Sequence, residues 1–318
     1  MKNWGYIWLS LLLLISADAW SQTTFTVMEY NCENAFDTIH DEGKNDYEYC
    51  PEGERKWSNW KLSKKLKSIS KVIAAADEER PADLVALCEV ENDTVLTRLT
   101  QHTPLASLGY KYIMTSSDDA RGVDVALLYS PFTFHLIDTQ HIKPHLPEHP
   151  TRDILHVSGT IASGDTLDVY VVHLPSKLGG SEALARSMKV TNLLKESIDS
   201  INAIRRTPNI IVAGDFNAEP KSPQLKLLTT STPLKDSTSA VSPGTYKYQG
   251  DWSVIDHILY HTTTLSLTSS RALTLPFLLE NDNTHGGKKP HRTYLGPIYK
   301  GGTSDHLPIV ATFKLQSK

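Results

Sequence analysis

Ile210-Ile211-Val212-Ala213-Gly214-Asp215-Phe216-Asn217 begins with four apolar residues, three of them β-branched, and then breaks into a glycine, a carboxylate and an amide. The apolar part has the length and composition of a buried strand. A polar group at the end of such a strand is held rigidly while the next loop opens to solvent. Taken alone, Gly-Asp-x-Asn is equally well explained by a turn, because Asp and Asn side chains stabilise turns. The pattern repeats, though, in both directions along the chain.

Upstream it returns as Glu29-Tyr30-Asn31-Cys32-Glu33-Asn34, Leu87-Cys88-Glu89-Val90-Glu91-Asn92 and Val172-His173-Leu174-Pro175-Ser176-Lys177. Downstream it returns as Ile255-Asp256-His257 and Ser304-Asp305-His306-Leu307-Pro308-Ile309. These segments lie mostly at the ends of strand-like runs: Phe25–Tyr30, Leu84–Cys88, Val123–Tyr129, Ile154–Ile161, Leu167–Val172, Ile210–Ala213, Val254–Tyr260 and Ile309–Phe313. A lone Glu at a strand end is usually solvated, and a lone Asp-His pair is usually a polar loop. Six such segments together are hard to explain as turns.

Two stretches read as helices. Leu62, Leu66, Ile69, Ile73 and Ala76 recur at helical spacing between Trp60 and Asp77, with lysines assigned to the other face. Leu184, Met188, Leu194, Ile198 and Ile201 do the same between Ser181 and Ile204, with Ser181 as the expected N-cap and Glu182 in the first turn. Many strands and few helices fit a sheet-on-sheet core with helices packed outside.

The order Asn31, Glu89, His173, Gly214-Asp215-Phe216-Asn217, Asp256, Ser304-Asp305-His306 resembles the endonuclease/exonuclease/phosphatase superfamily. That group includes pancreatic-type deoxyribonuclease, abasic-site endonucleases, neutral sphingomyelinases and inositol-phosphate phosphatases. The resemblance runs from Asn31 to His306 and is most specific at 214–217 and 304–309. Bacterial members whose first motif reads Asn-x-Glu-Asn-x-Phe-Asp, as Asn31 to Asp37 does, look nearest. It implies an α/β fold: a four-layer α-β-β-α sandwich of two packed mixed β-sheets flanked by helices.

Phosphodiester cleavage builds charge on the phosphoryl and leaving oxygens, so a site needs positive charge and a positioned nucleophile. Mg²⁺ takes one or two carboxylates plus waters and phosphate oxygen. Glu89 is the primary metal ligand expected, with Asn31 and Asp305 nearby. No Cys/His cluster has zinc spacing, so a hard cation is preferred, with Mn²⁺ or Ca²⁺ as alternatives to Mg²⁺. His306, oriented by Asp256, could take the proton from the attacking water. His173 could bind the phosphate or protonate the leaving group, while Asp215 and Asn217 align nucleophile and phosphate. Whether Asp215 or His306 is the base stays open at this level. His257 reads as an incidental neighbour of Asp256.

Ser176 and Lys177 follow His173 and could reach a phosphate, and Arg121 precedes a strand where relatives often contact substrate. Arg186, and the stretch from Lys288 to Arg292, are weaker candidates for phosphate contact. The segment from Asp37 to Glu54 carries seven carboxylates, which reads as a solvated loop rather than a second calcium site. Trp57 and Trp60 read as packing anchors.

At the N-terminus, Lys2, the apolar run Ile7–Ile15 and Ala17-Asp18-Ala19 form a signal-peptide pattern. The run is shorter than the roughly 20 residues of a membrane span, so no stable membrane insertion is expected. Residues 1–19 are read as the signal peptide and 20–318 as one catalytic domain, secreted or periplasmic. A net charge of −4 argues against a protein that coats nucleic acid electrostatically. Cys32, Cys50 and Cys88 are too few for a disulfide framework and read as buried thiols. A composition 40% hydrophobic and 21% charged excludes coiled coils and disordered chains. The leading expectation is a monomeric, metal-dependent endonuclease or related phosphodiesterase. The alternative is a phosphatase or phosphodiesterase acting on lipid head groups or small phosphate esters.

Overall fold

Alternate side chains of β1 (Thr24–Ala35) point to opposite faces, so Phe25 and Val27 enter one core while Met28 and Tyr30 enter another. The computed structural model describes residues 24–77, 80–176 and 179–316. The expected signal peptide, 1–19, and Lys177 lie outside the described residues.

β1 belongs to a six-stranded sheet with β2 (Leu84–Val90), β3 (Lys111–Met114), β4 (Asp124–Tyr129), β11 (Leu265–Ala272) and β12 (Ile309–Leu315). The second sheet holds β5 (Phe134–Ile142), β6 (Ile154–Ile161), β7 (Thr166–His173), β8 (Asn209–Asp215), β9 (Lys235–Asp236) and β10 (Asp256–Thr262). Both sheets are mixed: β1 runs parallel to β2 and β7 parallel to β8, while the other pairs are antiparallel.

Between the sheets lie Phe25, Val27, Leu84 and Ala86, meeting Leu155, Val157, Val169 and Ile211. Helices α1 (Asn59–Ala74) and α2 (Asp93–Gln101) cover the outer face of the first sheet, where Leu62, Leu66, Ile69 and Val95 share a core with Tyr30, Val85 and Leu87. Helices α3 (Gly180–Ile204) and α4 (Pro223–Ser231) cover the second sheet, with Leu194, Ile198 and Leu225 in one core with Tyr170, Ile210 and Val212. The result is the expected α-β-β-α sandwich. Burial of β8 on both faces explains its unbroken apolar run.

Several local expectations need correction. Lys65 is buried on α1, donating to the Thr293 hydroxyl at 2.5 Å and the Thr303 carbonyl at 2.8 Å, so the lysines of α1 are not all on the wet face. Gly179, with φ +113°, caps α3 in place of Ser181. Leu184 points to solvent, Ala183 and Val190 are buried, and Ser187 is buried against α4, where it accepts from Gln224 at 3.0 Å. β5 and β11 escape apolar reading because each is an edge strand with mostly solvated side chains. Trp57 is a buried anchor, but Trp60 is exposed. The acidic segment is not wholly solvated, since Asp37 and Asp46 are buried. All three cysteines are buried and unpaired. No helix among the described residues is long and apolar enough to cross a membrane.

Candidate active site

His173, Asp215 and Asp256 stand side by side because β7, β8 and β10 place them opposite one another in register. Glycine precedes Asp215 for a steric reason: a Cβ at 214, where φ is +153°, would fall 1.9 Å from the Val172 carbonyl oxygen. The polar ends of β1 and β2 reach the same cleft through bulges, with register breaks between Asn31 and Ala35 and between Cys88 and Val90. Glu33, Asn34, Glu89 and Asn217 all take positive φ, from +47° to +61°. Such conformations cost on the order of 1–3 kcal/mol each and concentrate at functional sites, and a bulge re-aims a side chain.

Asp215 is the hub. Its Oδ2 accepts from Asn31 Nδ2 at 3.0 Å and lies 3.6 Å from His173 Nε2, while its Oδ1 accepts from the Asn217 amide at 2.7 Å. The Asn217 side chain donates to the Leu174 carbonyl at 3.0 Å. Glu89 accepts from the Asn34 amide at 2.9 Å and from Arg121 at 3.2 Å, with His173 Nε2 at 4.0 Å. His306 Nδ1 meets both oxygens of Asp256 at 2.9 and 3.0 Å, and its Nε2 lies 3.9 Å from Asp305. Ser304 ties the loop that carries Asp305 and His306 to the end of β1, donating to the Asn31 carbonyl at 2.7 Å and accepting from the His306 amide at 3.1 Å. Ser304→Ala should cost about 1–2 kcal/mol in urea denaturation, the usual loss for a buried hydrogen-bonded hydroxyl.

Burial dominates the charge states. Burial and the neighbouring Asp256 push the Asp215 carboxyl up to about 7, against the pull of His306. Burial alone would depress His306, but Asp256, Asp305 and Asp215 hold it well above the ordinary imidazole range. His173 is driven well below that range by burial and by Arg152, Arg121 and His306. The site thus holds an imidazolium at 306, a neutral imidazole at 173 and a carboxyl poised near neutrality at 215.

Asn31, Glu89, Arg121, His173, Asp215, Asn217, Asp256, Asp305 and His306 therefore line one cleft. Ser176 stands apart, lining a cavity of about 210 Å³ against α3 and α4, and Arg186 lines a separate surface cavity of about 480 Å³. His257 is buried on the far side of β10, tied to Thr238 and the Ala218 carbonyl, which steadies the loop after Asn217. Of the basic stretch 288–292, Arg292 is the member that reaches the cleft, paired with Asp305 and 3.9 Å from Glu33.

Sequence reasoning gave no role to three residues. Arg152 is buried, donates to the carbonyls of His173 and Leu174 and pairs with Asp119 at 3.0 Å; as an isolated arginine it carries no motif. Glu33 receives the amides of Thr293 and Tyr294, fixing the loop that carries Arg292. Glu29 is fully buried, with no partner for either oxygen. Its signal was visible: alternation from Phe25 and Val27 puts position 29 on the inner face.

Glu89 and Asp305 are partly open, at 12% and 21% side-chain exposure, and with Asn31 they offer only oxygen donors. That set fits a hard divalent cation. Asp215, Asp256 and His306 also bring ligand atoms within 4.8 Å of one another, but His306 Nδ1 is already bound to Asp256 and the imidazolium would repel a cation.

The model for the Endonuclease/Exonuclease/phosphatase family matches residues 26–315. Among solved structures, an endonuclease/exonuclease/phosphatase family protein from Bacteroides thetaiotaomicron superposes with TM-score 0.62 at 16% identity, covering 93% of this chain and 99% of its own. A mannosyl-6-phosphatase from the same organism gives TM-score 0.61 at 16% identity, covering 91% and 99%. The human Nocturnin catalytic domain with bound sulfate gives 0.57 at 20% identity, covering 92% and 95%. Likenesses at this identity establish the fold alone. No curated protein matches by sequence.

Proposed function

The chain belongs to the endonuclease/exonuclease/phosphatase family, and on that premise we propose that this phosphoester hydrolase is a secreted, divalent-metal-dependent phosphodiesterase that favours nucleic acid. The carrying observation is Asp215, buried and bonded to Asn31 and Asn217, with its carboxyl raised to about 7.

A general base works best when its pKa lies near the working pH. Asp215 meets that condition and takes the proton from the attacking water. His306 is already an imidazolium held by Asp256, so it donates to the phosphoryl oxygens and opposes their growing charge. His173, kept neutral, contributes a hydrogen bond from Nε2 rather than a proton to the leaving group. Arg121 and Arg292, each already paired with a cleft carboxylate, border the phosphate position. Glu89, Asp305 and Asn31 would hold the cation, which when bound neutralises charge on the phosphoryl and leaving oxygens. Export is inferred from the pattern in residues 1–19, with 20–318 acting as one monomeric domain.

The test is a parallel assay with Mg²⁺ on DNA, RNA, sphingomyelin and nucleotide monoesters. Nucleic acid should be cleaved fastest, and chelation should abolish turnover. Glu89→Gln should raise the Mg²⁺ concentration for half-maximal rate by about tenfold or more, the scale of a weakened metal site. Faster hydrolysis of sphingomyelin or monoesters would favour the lipid or small-ester alternative. Turnover that survives chelation would overturn the metal.

A further inference from the structure

Tyr246 and Tyr248 belong to a hairpin with no role in the chemistry above. Strand Tyr246–Tyr248 pairs with Asp251–Ser253 across Gln249 and Gly250, whose φ values of +49° and +96° both lie in the left-handed region that a tight two-residue hairpin turn needs.

The hairpin is attached to the catalytic segments at its base. The Thr245 hydroxyl accepts from the amides of Ile255 and Asp256 at 3.1 and 3.3 Å, and the Thr245 carbonyl accepts from Leu307 at 2.7 Å. Tyr246 bridges His306 through the backbone, and its ring lies 5.0 Å from the imidazole at an interplanar angle of 44°.

It is also braced along its length. Lys247 Nζ sits 3.0 Å from Asp282, with both side chains only 5% exposed, and donates to the Gly286 carbonyl at 2.9 Å. A buried ion pair on the back of the strand holds its front in one orientation. Because alternate residues share a face, Tyr246 and Tyr248 look to the same side, the one His306 occupies. Tyr248 stands about 7 Å further out along the strand. It is 63% exposed, and its hydroxyl accepts from its neighbour Gln249 at 3.4 Å.

We propose that Tyr246 and Tyr248 form an aromatic rail leading from His306, and that Tyr248 stacks the flat ring of a nucleoside whose phosphate lies in the cleft. The rail rests on the phosphodiesterase reading and narrows it: the alcohol of the ester carries a planar base, not a sugar or lipid alone. Every base has a π-face, so stacking on tyrosine selects bases as a class without choosing among them.

Two measurements separate this rail from the reading beneath it. In turnover with Mg²⁺, a thymidine dinucleotide is compared with its analogue lacking both bases. Wild type should prefer the dinucleotide, and Tyr248→Ala should cut that preference about tenfold, chiefly through KM, a loss within the range for one base stack. Tyr248→Trp should restore it. Tyr246→Phe should keep the preference, whereas Tyr246→Ala should lower kcat on both substrates by freeing the His306 ring. In equilibrium binding with chelator present, thymidine monophosphate should bind about tenfold more tightly than deoxyribose phosphate, and Tyr248→Ala should erase the difference. Equal binding of the two ligands by wild type, or equal losses on both substrates in Tyr248→Ala, would overturn the rail. A binding preference in a protein that hydrolyses neither ester would uphold the rail and sink the phosphodiesterase reading instead.

Discussion

Asp215→Asn should lower kcat on a phosphodiester by about 10²–10⁴-fold, the range for removing a general base, with little loss of stability above neutral pH. Wild-type rates should rise with pH through about 7, because burial and Asp256 raise the Asp215 carboxyl to that value and only its ionised form accepts a proton. The limb should vanish in Asp215→Asn. His306→Ala should also be slow but should retain a limb, since its loss removes charge from the phosphate rather than the acceptor of the proton. The opposite assignment makes a different prediction. Were His306 the base, its imidazole, held well above the ordinary range by Asp256, would set the limb there, and Asp215→Asn would move the limb instead of abolishing it. A pH–rate series on the three proteins decides between them, and a persistent limb near 7 in Asp215→Asn would remove Asp215 from its role.

The parts of this site that sequence reveals are those tied to strand ends. Asp215 and His173 close buried strands whose apolar runs stand out, and Asp256 opens another. Each is therefore legible as a polar group at the end of a core element. Glu89 is legible for the same reason, although the bulge that turns it into the cleft, with φ +61°, is not. Base choice is illegible because it depends on electrostatics between residues far apart in the chain. Asp215 and Asp256 face each other across β8 and β10, 41 positions apart in the numbering, and only the folded pairing shows which of them is free of His306. Arg152 is invisible for a related reason, since it acts on the backbone of His173 from another strand's approach. Periodicity misled where a helix was amphipathic in an unexpected way: Lys65 is buried because Thr293 and Thr303 supply oxygens beneath α1. The fold itself was legible because burial on two faces writes continuous apolar strands, whereas the solvated edges β5 and β11 carry no such mark.

Glu29→Gln should change how stability depends on pH more than it changes the structure. Glu29 lies on the inner face of β1, fully buried, without a partner for either oxygen. Burial raises its carboxyl well above the ordinary 4.5, and Asp256 and Asp215 push it further against the pull of His306. In the folded chain it therefore keeps a proton that the unfolded chain releases above about 4.5. The native state then binds more protons than the unfolded state, so this residue's contribution falls as pH rises from there toward its folded value. The slope for one such group is at most about 1.4 kcal/mol per pH unit. Between pH 5 and 7 that amounts to as much as about 3 kcal/mol. Glutamine keeps the size and cannot ionise, so the variant's stability should decline less steeply over that window. It should equal or trail the wild type at pH 5 and overtake it by pH 8. Urea denaturation midpoints at several pH values, with chelator present, measure the two slopes directly. Asp215 and Glu33, both raised to about 7, slope in the same direction in both proteins, so the difference between the curves isolates Glu29. Parallel curves would mean that Glu29 is ionised in the fold and has a partner that the observed packing does not supply.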